Sequence, residues 1–200
     1  MLESPESVID FWFGEPGPDN VVAKRQTSLW FKKQESTDAL IKERFERTLH
    51  SAAAGELDSW CDTAVGRLAL IIVLDQLPRN IYRDTPQAFA FDSLAREHCQ
   101  AGLERHDDAA LQAVHRLFFY LPLEHAEDRA LQARSVALFR ELAADVGEED
   151  KMLFNGFLDY AQRHQMVVEQ FGRFPHRNVI LGRVSTAQEL EFLTQPGSSF

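Results

Sequence analysis

The sequence predicts an all-α fold of about eight to nine antiparallel helices, either a closed bundle or a stacked αα array, the number of helices favouring the array. Apolar residues recur three or four apart in segment after segment, the spacing of one helix face. No strand-like alternation lasts beyond four or five residues, and no Asn-Gly or Asp-Gly hairpin signal occurs. Pro and Gly punctuate the segments as helix starts and stops, leaving turns too short for anything but antiparallel neighbours.

Each element has its own warrant. Ser4-Pro5 is a cap followed by Pro at the first helical position, and Gly14 is the stop. Ser36 or Thr37 opens a second helix with Leu40, Ile41, Phe45 and Leu49 on one face, closed by Gly55. Asp62 or Thr63 opens a third, in which Val65, Leu68, Ala69, Ile72 and Val73 continue the spacing until Pro78 forbids it. Being apolar nearly all round, this segment is expected to be the central, most buried helix. Thr85-Pro86 repeats the cap-then-Pro start and leads through Phe89 and Leu94 to Gly102. Asp107 or Asp108 caps the next, whose stripe of Leu111, Val114, Leu117, Phe118 and Leu121 is expected to end at Pro122. Further helices are expected over 127–143 and 148–171, the latter with Leu153, Phe157, Tyr160, Ala161, Val168 and Phe171 inward. Ser185 and Gln188 have capping-box spacing for the last one.

The 200 residues are 44% apolar and 26% charged, the proportions of one globular domain spanning 1–200. Fifteen Phe against ten Gly and eight Pro demand a core and argue against disorder. The formal charge of −10 repels polyphosphates, so no nucleic-acid partner is expected. The longest apolar run, Leu68 to Leu74, is far short of a membrane span, and the acidic N-terminus carries no signal sequence. Cys61 and Cys99 exclude a disulfide scaffold and suit a reducing cytoplasm. Nucleotide-binding glycine motifs and the nucleophile elbow are missing, and no cofactor is expected.

Two islands break the acidic background. Gln170 to Gln188 contains no Asp or Glu but holds Arg173, His176, Arg177 and Arg183. Gln76 to Arg83 is likewise acid-free and holds Arg79 and Arg83. Both contain Pro followed by Arg-Asn, in Pro78-Arg79-Asn80 and in Pro175-His176-Arg177-Asn178. Arg grips carboxylate or phosphate with paired hydrogen bonds, so the two turns together suggest an anion pocket. A competing reading pairs these arginines with internal carboxylates such as Asp75, Glu127 or Asp128, locking helix junctions instead.

Among the histidines, His164 lies on the apolar stripe of its helix, His115 at the edge of another, and His125 after Pro122. An inward imidazole is either a general base or a core residue bonded to a neighbouring carbonyl. His125, Glu127 and Asp128 match no established ligand spacing and His-Glu-x-x-His is absent, so no metal is expected.

Several long motifs then occur in order: Asp10-Phe11-Trp12-Phe13-Gly14, Trp30-Phe31, Leu74-Asp75-Gln76-Leu77-Pro78-Arg79-Asn80 and Phe91-Asp92. Tyr120-Leu121-Pro122 with His125-Ala126-Glu127-Asp128 follows, then Tyr160-Ala161 with His164. Phe171-Gly172-Arg173-Phe174-Pro175-His176-Arg177-Asn178 is the strongest, before Leu181-Gly182-Arg183 and Ser185-Thr186. On these motifs the chain resembles the bacterial family catalogued as domain of unknown function 924, from about Val8 to Phe200. The resemblance implies a tetratricopeptide-like αα superhelix, and it brings no reaction with it. Glu124 and Ala126 stand where the family resembled prefers Met and Ser, so a catalytic role for that turn that depends on a small hydroxyl is not expected in this chain.

Two functions are expected in consequence. One is a binding or interaction protein whose concave face receives a small anion or acidic peptide. Arg79, Arg173, His176 and Arg177 make the contacts, and Asn80 and Asn178 orient the turns. The other is a hydrolase or transferase acting on a phosphate- or carboxylate-bearing substrate, with His164 or His176 as acid or base beside the arginines. A scaffold that only forms a homodimer through an exposed helix face is the third reading.

Overall fold

In the computed structural model, which describes residues 2–199, the chain is all-helical and superhelical, with no strand among the described residues. The first helix, α1 (Pro5–Phe13), starts as its sequence dictates: the Ser4 hydroxyl accepts from the Ser7 N–H and Pro5 opens the first turn. Gly14, at φ 69°, ends it. The next element, α2 (Asp19–Phe31), has no apolar periodicity to announce it. It is held by tertiary contacts, including the Trp30 indole N–H donating to the Trp12 carbonyl at 2.8 Å. Helix α3 (Glu35–Ala53) begins one residue before Ser36 and buries Ile41, Phe45 and Leu49, leaving Leu40 exposed.

The central helix is the one expected, but Pro78 does not end it. Helix α4 (Ala64–Ile71), capped by the Thr63 hydroxyl, runs into a π-helical turn over Ile72–Gln76 and then α5 (Leu77–Ile81). The Leu77 N–H reaches back five residues to the Ile72 carbonyl, and Pro78, at the start of α5, has no N–H to place. The wider turn absorbs the proline, so the chain continues where a regular α-helix would break. Leu68 through Leu74 are completely buried, while Val65 is exposed. Gly66 is dictated by a close approach: a Cβ there would stand 2.2 Å from the Trp60 carbonyl oxygen.

Thr85-Pro86 and Asp107-Asp108 begin only 3₁₀ turns, over Pro86–Phe89 and Asp107–Ala110. The α-helices start later, as α6 (Asp92–Glu104) and α7 (Ala113–Glu124). Pro122 lies inside α7, near its C-terminal end, instead of terminating it. Asp128 caps α8 (Arg129–Asp145) by accepting the Leu131 N–H at 2.9 Å, and α8 packs against both α7 and α9 (Lys151–Phe171). Tyr160, placed inward by its spacing, is exposed on α9. The capping box of α10 (Ala187–Leu193) sits one residue beyond the expected pair: Thr186 and Glu189 exchange the two bonds.

One large core gathers residues from Val8 to Ala161, including Trp12, Phe45, Phe118, Phe119, Tyr120 and Phe139. A small satellite core of Val167, Val168 and Phe174, with Phe171 and Phe192 against it, lies under the C-terminal segment. Between these two cores the polar side chains collect.

Candidate functional site

Five segments contribute to this polar cluster: the π-turn with Asp75, α5 with Arg79, the start of α6 with Asp92, the end of α7 with Glu124 and His125, and α9 with His164. The 3₁₀ turn Pro175–Arg177 closes it from the far side. Two local features aim the side chains. The π-turn rotates Asp75, completely buried, out of the apolar register of its helix. At the end of α7, the buried Gln132 amide donates to the carbonyls of Glu124 (2.6 Å) and Ala126 (2.8 Å). That clamp satisfies terminal carbonyls and fixes the backbone on both sides of His125.

Asp75 is the hub. Both its oxygens face His125 Nδ1, at 2.9 and 3.0 Å; a carboxylate can only accept, so that nitrogen carries the proton. The Gln76 amide also donates to Asp75, and Arg79 lies 3.4 Å from its carboxylate. Burial alone would raise the Asp75 carboxyl, but Arg79 and His125 outweigh it and hold it well below the usual range. His125 is itself pushed down, mainly by burial, with the positive charges of Arg79 and Arg177 adding to it against the opposing pull of Asp75. The pair is therefore a carboxylate and a neutral imidazole.

A second carboxyl–imidazole pair lies alongside. His164 Nδ1 is 2.9 Å from the Tyr160 carbonyl and 3.1 Å from Glu124 Oε1. Burial drives His164 down to about 3, and burial with the nearby Asp75 charge drives Glu124 up to about 8. Both are neutral near pH 7. His176, lowered to about 4 by burial and then by Arg177, stacks at a tilt on Phe174, with ring centroids 5.6 Å apart.

The arginines divide into two kinds. Arg79 donates to both oxygens of Asp92, at 3.1 and 3.3 Å, and to the Asp75 carbonyl. Arg173 is bound to Glu189 (2.6 and 2.8 Å) and to the Val184 carbonyl, away from the cluster. Arg183 takes Glu127 with two bonds, 2.6 and 2.9 Å, while Glu127 also accepts the Phe174 N–H. Arg83 takes Asp38 the same way. The asparagines join these locks: Asn80 donates to Asp38, and Asn178 donates to Ser185 while accepting from Arg183.

Arg177 differs. It donates to the His125 carbonyl at 3.2 Å and comes no closer than 3.6 Å to Asp92. Its buried Nε has no hydrogen-bond partner among the described residues. The guanidinium lies 4.6 Å from the ring centres of both Phe89 and Phe174. Burial and the like charge of Arg79 lower it to about 10, against the opposing pull of Asp92, Glu127 and Asp75. The cluster reaches solvent at its edges, among them Arg79, Asp92 and His125, whose side chains are 21%, 17% and 14% exposed.

Of the residues singled out from sequence, Arg79, His164, His176 and Arg177 are therefore brought together. Arg173, Asn80 and Asn178 are engaged in junction locks. Spacing did not reveal the hydrogen-bonding partnership of Asp75 and His125, nor the parts of Phe89, Asp92 and Glu124. The legible signal was Asp75 itself, a lone charge at the end of the run from Leu68 to Leu74.

The comparisons with known proteins agree with this architecture. The structure of a protein of unknown function, ATU0120 from Agrobacterium tumefaciens, is 38% identical, with a TM-score of 0.80. The match covers 94% of this chain and 96% of that one. No curated protein matches. The family model described as "Bacterial protein of unknown function (DUF924)" matches residues 8–197, motifs of the cluster included, and the chain belongs to that family.

Proposed function

We propose that the protein binds a small carboxylate- or phosphate-bearing molecule at Arg177, between the two Pro-Arg-Asn turns. The observation that carries this reading is the Nε of Arg177, buried and without a hydrogen-bond partner among the described residues. An internal brace would satisfy that donor, as Asn178 accepts from Nε of Arg183 and Glu189 from Nε of Arg173. An unsatisfied buried donor costs about 1–3 kcal/mol, a penalty an entering anion removes. The two flanking phenyl rings keep the guanidinium flat and desolvated, which strengthens its pairing with an oxyanion. A tetratricopeptide-like array supplies the scaffold, and a cytoplasmic setting suits the two free cysteines. No helix of the described residues is long and apolar enough to cross a membrane.

Thermal-shift titration with orthophosphate, glutarate and a poly-glutamate peptide tests the reading. Orthophosphate or glutarate is expected to raise the melting temperature of the wild type and to leave Arg177→Met unmoved. A shift with the peptide alone would replace the small anion by an acidic chain. No shift with any of the three would sink the proposal.

A second reading, an enzyme acting on such a molecule, is favoured by one observation: the Asp75–His125 hydrogen bond at the same site.

A further inference from the structure

Resting on the anion site just described, we propose that His125, oriented by Asp75, activates water to cleave an acyl ester whose carboxylate or phosphate is held by Arg177. The orientation follows from bonding alone. Asp75 occupies Nδ1, so the lone pair of His125 lies on Nε2, for which the described residues offer no hydrogen-bond partner. The imidazole sits at the rim, with its side chain 14% exposed, while the carboxylate behind it is sealed. An oriented acceptor nitrogen on a partly exposed imidazole, backed by a buried carboxylate, is the arrangement that general-base catalysis requires. The anchor is attached to the base: Arg177 donates to the backbone carbonyl of His125 itself. An anionic group on Arg177 is thus held next to the residue that takes the proton.

The charge balance favours acyl carbon over phosphorus. Arg177 is committed to the anchoring anion, while Arg79 is paired with Asp75 and Asp92 and Arg183 with Glu127, which leaves no further cation for a phosphoryl transition state. In the proposed step His125 Nε2 takes one proton from water, and the resulting hydroxide oxygen bonds to the carbonyl carbon. As the tetrahedral intermediate collapses, the bond to the alkoxy oxygen breaks. The imidazolium returns its proton to that oxygen, giving acid and alcohol with no change of oxidation state. Asp75 is a positioning residue here, because it touches only the imidazole.

The test compares 4-nitrophenyl hemiglutarate with neutral 4-nitrophenyl butyrate. His125→Asn retains a donor for Asp75 but has no acceptor where Nε2 was. The wild type is expected to cleave the hemiglutarate with a kcat/KM about 100-fold above His125→Asn, and to show no such preference on the butyrate. A variant within about threefold of the wild type overturns the proposal, as does a wild type that cleaves neither ester. A melting-temperature rise with glutarate but no cleavage overturns this inference and leaves the anion site standing; no rise with glutarate, orthophosphate or poly-glutamate sinks both. Should His125→Asn not fold, histidine ¹⁵N spectra of the wild type decide. Protonated Nδ1 and bare Nε2 at His125 support the base, the reverse tautomer overturns it, and Asp75→Asn is expected to mix the two.

Discussion

Arg177 stands 3.6 Å from Asp92, while Arg79 binds both oxygens of the same carboxylate at 3.1 and 3.3 Å. Two guanidinium groups, one from each Pro-Arg-Asn turn, thus compete for one partner, and Arg177 is the one left undercompensated. Replacing it with Met, of similar length and still able to pack between Phe89 and Phe174, removes a charge the fold holds at a cost. Arg177→Met is expected to match or exceed the wild type in stability, within about 1 kcal/mol, by chemical denaturation, while losing response to orthophosphate. Arg173→Met is expected to fall in melting temperature instead, because it strands the buried Glu189.

Asp75→Asn tests the hub. The amide preserves shape but leaves Arg79 and Arg177 with one carboxylate fewer in a closed environment. A loss of about 3–5 kcal/mol is expected, visible as a lower urea midpoint with an unchanged slope.

The Glu124 carboxyl sets a pH dependence. Its folded value, about 8, lies above the usual 4.5, so the folded state holds a proton the unfolded chain has released. The contribution is complete below about pH 4.5 and is lost as pH rises through about 8. Glu124→Gln cannot titrate. Relative to it, the wild type is expected to lose stability from pH 5 to 8.5, on the order of 3 kcal/mol, by denaturation at a series of pH values.

Anion binding is expected to be accompanied by proton uptake. The cluster is electrically balanced with its imidazoles neutral, and His176 is held at about 4 by burial and by Arg177, with Arg183 and His125 adding and Glu127 opposing. An anion on Arg177 offsets that positive field and favours imidazolium. Phosphate or glutarate affinity should therefore rise as pH falls from about 7 to about 5. Calorimetry in buffers of different ionisation enthalpy would show protons entering on binding; a pH-independent affinity would contradict it.

Gly66→Ala probes the central helix apart from the site. The new methyl would stand 2.2 Å from the Trp60 carbonyl, a backbone atom that cannot swing away. A destabilisation of about 1–3 kcal/mol is expected, measured by thermal melting.

Both readings of the arginines were legible in the sequence: internal locking holds for Arg79 and Arg183, and the anion pocket is what we propose for Arg177. Arg79 meets Asp75 and Arg183 meets Glu127, two of the internal partners expected, while Asp128 turned out to be a helix cap. Nothing in the composition of the island distinguishes Arg177 from Arg173, which stand two residues either side of Pro175. The turn sends one inward beneath Phe89 and the other outward to α10. His125 was masked for a similar reason: its role comes from Asp75, fifty positions earlier, and hydrogen bonds at that separation leave no local pattern.

By itself the sequence determined the helical class, the start at Ser4 and that at one of Asp62 and Thr63, and the burial of Leu68 to Leu74, because caps and apolar periodicity act within a few residues. It also marked the two Arg-Asn islands as unlike their acidic surroundings. Only the tertiary structure decided that helix α2 forms without periodicity, that Pro78 and Pro122 are carried inside helical segments, and which guanidinium lacks a full partner. Those outcomes depend on packing and charge between segments far apart in the chain, and such energies exist only once the helices have come together.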